Sequence, residues 1–201
     1  MSDITPTRSA AIELKHERRV MHEGCVFLDE KCMLLAGEMV RELRRYELLQ
    51  REFHAAERTA RTTLKAALAR HGLQGLQVYP AADLAAANFV CRARRLMGVV
   101  LQDADLAGLL APQAVPLHPS PEAEACRRQF AEALRQAAVL AAVSGNLERL
   151  YLEYRRASRR ARALQDVLLP EIERTLSEVE SRLEEFEQED AVWMRHGSGK
   201  A

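Results

Sequence analysis

From Thr7 to Arg70 the chain has no proline and only two glycines, Gly24 and Gly37. A run of about 60 helical residues would span about 90 Å. A helix of that length does not hold itself together in water and needs a second helix along its side. The sequence provides the seam for one. Leu14, Arg18, Met21, Cys25, Leu28, Cys32, Leu35, Met39, Glu42, Tyr46, Leu49, Phe53, Ala56, Ala60, Thr63 and Ala67 follow in steps that alternate between four and three. Only Arg18, Glu42 and Thr63 in that row are clearly polar. A sustained 3.5-residue period predicts a left-handed supercoil. The small side chains at Ala56, Ala60 and Ala67 allow close approach of the partner.

Pro6 or Thr7 marks the helix start, since proline fits a first turn and threonine can cap it. Gly72, after His71, is a suitable left-handed stop. A second start is written at Ser120-Pro121-Glu122-Ala123-Glu124: a capping serine, a proline at the first helical position, then acids in the first turn. The helix that follows carries one seam from Ala133 through Gln136, Leu140, Val143, Leu147, Leu150, Tyr154, Ala157, Ala161 and Leu164 to Leu168. It carries another from Leu169 through Ile172, Leu176, Val179, Leu183, Phe186 and Asp190 to Trp193. The seams are out of step by one residue beside Pro170. Proline removes a backbone hydrogen bond and crowds the preceding turn, so a kink or local change of twist is expected there, without a helix end.

The expected organisation is all-α: a long antiparallel two-helix left-handed coiled coil with a small middle insert containing a short β-hairpin. Residues 1–71 form the first helix and 121–196 the second, within one structural unit, and 197–201 are a disordered tail. Residues near 14 then lie near 190, and residues near 67 near 130. The insert, 72–120, is punctuated by glycine and proline. In it Phe89-Val90-Cys91 and Val99-Val100-Leu101 flank Met97-Gly98, which reads as a hairpin over about 88–102. Residues 81–87 and 103–111 read as short helices, and the proline-rich 112–121 as a loop.

Composition narrows the function classes. Lys+Arg and Asp+Glu are both 29, so the formal net charge is zero. That gives no general reason to expect nucleic acid or an anionic membrane as the main partner. No apolar stretch reaches the length of a membrane span, so direct membrane insertion is not expected. Cys25, Cys32, Cys91 and Cys126 form no CxxC pair, which suggests free thiols in a reducing, cytoplasmic setting.

Chemical motifs are weak. Gly197-Ser198-Gly199-Lys200 is half of a phosphate loop, without the preceding strand and following helix that the motif needs. His16-Glu17 and His22-Glu23 lack the second histidine of a helical zinc motif, because positions 20 and 26 are valine. Cys25 and Cys32 lie on the seam and read as small core fillers. Arg155, Arg156, Arg159, Arg160 and Arg162 form a basic band, and residues 171–190 an acidic one. These bands read as solvated faces or as matches to charged collars on a surrounding partner. No nucleophile, base and orienting group come together, so no catalytic residue, cofactor or metal is expected.

Three segments, in order, carry a resemblance. The first is Pro6-Thr7-Arg8 with Leu14-Lys15, Gly24 and Leu28-Asp29-Glu30-Lys31. The second is Arg94-Arg95-Leu96-Met97-Gly98-Val99-Val100. The third runs from Arg159-Arg160-Ala161-Arg162-Ala163-Leu164 through Leu169-Pro170-Glu171-Ile172-Glu173-Arg174-Thr175-Leu176, followed by Glu185 to Asp190. Together they resemble the D-subunit family of the V/A-type rotary ATPases. Only Lys31 remains of that family's basic run, and Ala163 stands where its pattern has asparagine.

The resemblance implies a non-catalytic central-stalk rotor subunit, peripheral to the inner face of the cell membrane. It would transmit torque between an ATP-hydrolysing or ATP-synthesising ring and the membrane ion-translocating ring. Implied partners are a small companion stalk subunit, a hexameric ring of catalytic and regulatory subunits, and a connector subunit on the membrane ring. Implied partner contacts are Arg8, Lys15, Lys31, Met97, Gly98, Arg159, Arg160, Leu164, Pro170, Ile172, Arg174 and Asp190. Residues Thr5–Lys31 and Ile172–Arg195 would lie in the ring cavity. The helix mid-sections and the hairpin would face the companion subunit and the ring's lower rim. The other reading of the same pattern is a stand-alone coiled-coil adaptor or secretion-system stalk.

Small-angle scattering of the purified chain is expected to give a maximum dimension above about 80 Å. A radius of gyration near that of a compact 200-residue domain would rule out the two-helix architecture.

Overall fold

The computed structural model describes residues 5–80, 87–109 and 119–198. Helix α1 spans Arg8–Gln77. Strands β1, Asn88–Leu96, and β2, Val99–Ala107, form an antiparallel hairpin. Helix α2, Pro121–Ala163, passes through one π turn, Leu164–Leu168, into α3, Leu169–Ser198. The fold is thus the expected one, two long helical stretches with a two-stranded hairpin between them in sequence. It divides into two compact units: residues 1–34 with 154–201, and residues 35–153.

The caps form as the sequence dictates. Ala10 N–H donates to Thr7 Oγ1 at 3.1 Å, and Ala123 N–H donates to Ser120 Oγ at 3.2 Å. Gly72 takes φ 66° and ψ 171°, which breaks α1 near its end. The α1 seam is also where it was expected. Of its sixteen positions only Arg18 is exposed; Leu35, Ala60 and Ala67 are fully buried.

In the first unit the helices run antiparallel. Arg8 pairs with Glu187 at 2.6 Å and Lys15 with Glu180 at 2.7 Å. Between them Ala11 and Leu14 pack on Leu176 and Val179, flanked by Leu183. Residue 14 therefore meets residues 176–179, not the neighbourhood of 190. The seam is covered as far as Leu183, whereas Phe186, Asp190 and Trp193 are exposed. The reason is length: α1 begins at Arg8, already opposite Glu187, so no described helix remains for residues 188–198 to pack against.

The π turn accounts for the seam offset. Leu169 N–H reaches Leu164 C=O, one residue further back than in an α-helix. A π turn inserts one residue, which is the step between the seam ending at Leu168 and the seam starting at Leu169. Pro170 supplies the cause, because its ring would crowd the carbonyl of Asp166 in a regular turn. The helix changes twist there and continues, as expected.

In the second unit the helices close the far end through Arg70–Glu122 at 3.0 Å and through His71 to Ser120 at 2.6 Å. Tyr79 packs edge-on against His71 with ring centroids 5.6 Å apart. The hairpin is longer than expected. Its register runs from Asn88 opposite Ala107 to Leu96 opposite Val99, so 103–107 is strand and not the start of a helix. The alternation Val99, Leu101, Asp103 on one face carries the strand past residue 102. The short helix expected at 81–87 falls almost wholly outside the described residues, as does most of the loop at 112–121. Helix α3 continues to Ser198, past the expected end at 196.

Met97 and Gly98 both have positive φ, 48° and 87°, which defines a type I′ turn. Glycine adopts this freely, but methionine does so only with steric strain. Met97→Asn is expected to stabilise the hairpin by about 1 kcal/mol. Amide exchange at Val99 and Leu101 should slow about fivefold; unchanged or faster exchange would contradict the turn assignment.

Candidate functional site

The second unit holds a polar cluster that the seam hinted at only through Glu42. Glu38 and Glu42 stand one turn apart on α1, and their residues are 3% and 4% exposed. Two like charges at that spacing repel, and burial adds a large desolvation cost. Arg94 of β1 answers both. Its guanidinium lies 2.5 Å from Glu38 Oε1 and 3.1 Å from Glu42 Oε1. The hydrogen bond it donates to Glu38 strengthens its hold on the proton, although burial opposes this. Arg41 adds a second cation to Glu38, and Arg45 bridges to Asp103 of β2 at 2.8 Å. Among the described residues Glu42 Oε2 is buried without a hydrogen-bond partner.

On the α2 side Asn146 is 1% exposed and does what a neighbouring strand would do. Its Oδ1 accepts from Gln102 N–H at 2.7 Å and its Nδ2 donates to Gln102 C=O at 2.8 Å. Arg149 donates to both Asn146 Oδ1 and Gln102 Oε1. Val99 and Leu101 complete the contact as buried apolar residues. The hairpin therefore folds back along the pair, against residues 38–45 and 146–149. By helix rise that is about 40 Å from the helix ends at His71 and Ser120.

The residues expected to meet partners lie apart. Arg8 and Lys15 are exposed and already paired across the first unit. Lys31 is half-buried beside Cys32. Met97 and Gly98 occupy the hairpin turn. Arg159, Arg160, Arg174 and Asp190 are exposed, and Pro170 is exposed just after the π turn. Ile172 and Leu164 face inward: Ile172 is buried in the seam, and Leu164 lies against Gly24, where an added Cβ would sit 3.6 Å from its Cδ1. The helix end beyond Glu187 presents Val192, Trp193 and Met194 to solvent, with Trp193 79% exposed.

Reading the sequence missed Glu38 and Asn146, and took Arg94 only as part of a turn motif. The available signals were a carboxylate pair at i and i+4 on a seam flank, and a Gly145-Asn146 pair of poor helix formers inside a long helix.

All four cysteines are free thiols. Burial, then the charge of Asp29, pushes the thiols of Cys25 and Cys32 up. Among the described residues no group of three or more His, Cys, Asp or Glu is placed to hold a metal, and no helix is long and apolar enough to cross a membrane. His16 and His22 are exposed on α1, and Gly199-Lys200 lies outside the described residues.

These elements define an all-α helical hairpin of the coiled-coil type whose second unit carries a β-hairpin clamped between two polar clusters. The chain belongs to the D-subunit family of the ATP synthases, whose profile matches residues 10–196, and it is a component of a multi-subunit rotary ATPase. It is 28% identical over 207 residues to the D subunit of the V-type ATP synthase of Anaeromyxobacter dehalogenans strain 2CP-C, covering 97% of this chain and 95% of that one. It is 23% identical over 190 residues to the V-type D subunit of Thermotoga neapolitana, covering 93% of each. It is 26% identical over 205 residues to the D subunit of the A-type ATP synthase of Methanoregula boonei, covering 97% of this chain and 95% of that one.

Arg94→Ala is expected to destabilise the second unit by about 2–3 kcal/mol. That is less than for a fully buried pair, because the Arg94 side chain is 46% exposed. Urea unfolding reads the loss, and adding Glu42→Leu to the variant should recover part of it. No loss in the single variant would show that the cluster does not hold the hairpin.

Proposed function

We propose that this chain is the central-stalk rotor subunit of a V/A-type ATPase, carrying torque between the nucleotide-handling ring and the membrane ion-translocating ring. The observation that carries the reading is the family match over residues 10–196. The structure supports it physically. A torque-bearing element needs length, stiffness and unbroken backbone, and α2, the π turn and α3 run without interruption from Pro121 to Ser198. The chain contributes no catalytic residue in this reading. It works as a cam whose exposed side chains meet neighbours in sequence as it turns.

The partners in this reading are a small companion stalk subunit, the hexameric ring and a connector on the membrane ring. The complex is peripheral to the cytoplasmic face of the membrane. Three surfaces serve as contacts. The first, in the first unit, is the end of α3 with Asp190 and the apolar Trp193, together with Arg8 and Lys15, which pair with Glu187 and Glu180, and Arg174 further along α3. The second, also in the first unit, is the basic stretch at Arg159 and Arg160. The third, in the second unit, is the hairpin turn at Met97-Gly98. Leu164 and Ile172 act from within the first unit, setting its shape, while the half-buried Lys31 and the exposed Pro170 lie at its surface.

The isolated chain is expected to show no ATP hydrolysis. Adding it to a purified ring of catalytic and regulatory subunits that lacks a stalk should change the ring's ATP turnover. A ring whose rate ignores the chain would overturn the stalk role.

A further inference from the structure

The hairpin has two long edges, and among the described residues a side-chain cap stands on the β2 edge, at Gln102, and none on the β1 edge. Asn146 caps the outer edge of β2 at its middle by bonding both main-chain groups of Gln102. Since those groups point away from β1, Gln102 occupies a non-hydrogen-bonded pair of the ladder. Its opposite residue is Ala93, whose main-chain groups therefore also point outward. With a period of two, the same holds for Phe89, Cys91 and Arg95. The turn gives the same phase independently. Leu96 and Val99 flank a two-residue loop and form the hydrogen-bonded pair, so Arg95 and Val100 do not.

Among the described residues no hydrogen bond reaches the outward groups of Phe89, Cys91, Ala93 and Arg95. Every residue of β1 before Leu96 is exposed. A nine-residue open edge is a template for a further strand, and native chains usually blunt such edges by shortening them, by proline or by charge. This edge is neither short nor broken by proline. Its charge is one-sided: Arg92, Arg94 and Arg95, with no acid in the strand. Arg94 is taken up by Glu38 and Glu42. Arg92 and Arg95 have no ion-pair partner among the described residues.

We infer that the outer edge of β1 receives an added strand, an extended acidic segment of another subunit of the assembled ATPase. This inference rests on the reading of the chain as a subunit of that assembly. The main chain of Phe89, Cys91, Ala93 and Arg95 supplies the ladder, and carboxylates on the incoming segment lie against Arg92 and Arg95. In strand addition the main-chain bonds give affinity and the alternate side chains give specificity. A second copy of this chain does not suit the edge. Two β1 strands paired about Ala93 would set Arg92 against Arg94, basic on basic, twice over.

Ala93→Pro isolates the edge, because the N–H it deletes plays no part in the β1–β2 ladder. Amide exchange is measured residue by residue on the isolated chain and on the assembled ATPase. On assembly the amides of Phe89, Cys91, Ala93 and Arg95 should slow at least tenfold, while Val90, Arg92 and Arg94 are protected in both states. Ala93→Pro and the pair Arg92→Glu with Arg95→Glu should each abolish the added protection at the remaining outward amides and leave Val90 and Arg94 protected. A chain that enters the complex with its outward amides as fast as in isolation overturns the added strand alone. A chain that never enters the complex overturns the stalk reading as well. Protection that survives the double charge reversal overturns the acidic partner. Dimerisation of the isolated chain that Ala93→Pro abolishes gives the edge to a second copy and overturns it too.

Discussion

The structure depends on one constraint: a helix as long as α1 is stable only where its seam is covered. Backbone hydrogen bonds alone leave such a helix marginal in water, and tertiary burial of one face supplies the rest. Where α2 or α3 covers α1, the seam is buried, down to the fully enclosed Leu35, Ala60 and Ala67. Where cover ends, past Leu183, the same kind of apolar side chain stands in solvent. The pattern of burial is a record of where each helix has a neighbour.

The hairpin obeys a different rule. Among the described residues its strand β2 contributes only Val99, Leu101 and Ala104 as buried apolar residues, too few to fix an orientation on a smooth helical surface. Direction comes from two polar clamps, Arg94 on the carboxylates of α1 and Asn146 on the main chain of β2. Hydrophobic contact tolerates sliding, but a bidentate amide and a shared guanidinium do not. Buried polar groups are expensive unless satisfied, so their geometry admits few alternatives, and that makes the docking specific.

Much of this was legible in the residues. Heptad spacing located the seams, Thr7 and Ser120 announced the caps, Gly72 the stop, Met97-Gly98 the turn, and the mismatch beside Pro170 the change of twist. What was not legible has a common cause. The register of Leu14 against Leu176, the uncovered end after Leu183 and the extent of β2 to Ala107 all depend on what lies across from a residue. Periodicity along one chain does not encode its opposite number. The same holds for the clamps: Glu42 looked like a defect in the seam until Arg94, 52 residues away, was placed beside it. Surfaces for partners are the least legible, because a solvated arginine and an arginine awaiting a carboxylate have the same sequence.

The π turn at Leu164–Leu168 has a consequence for how such a chain can vary. In a two-helix seam, gaining or losing one residue rotates every later side chain by about 100° and turns the whole downstream stripe out of the contact. Length is therefore frozen almost everywhere. At this turn an extra residue is already stored as a bulge that carries no buried side chain. It is a slack point at which phase can be reset without unpacking either flank, so the segment that follows can be re-aimed as a block relative to the segment before it. Diversity in how the end of α3 is presented has one inexpensive place to arise, and a proline marks it.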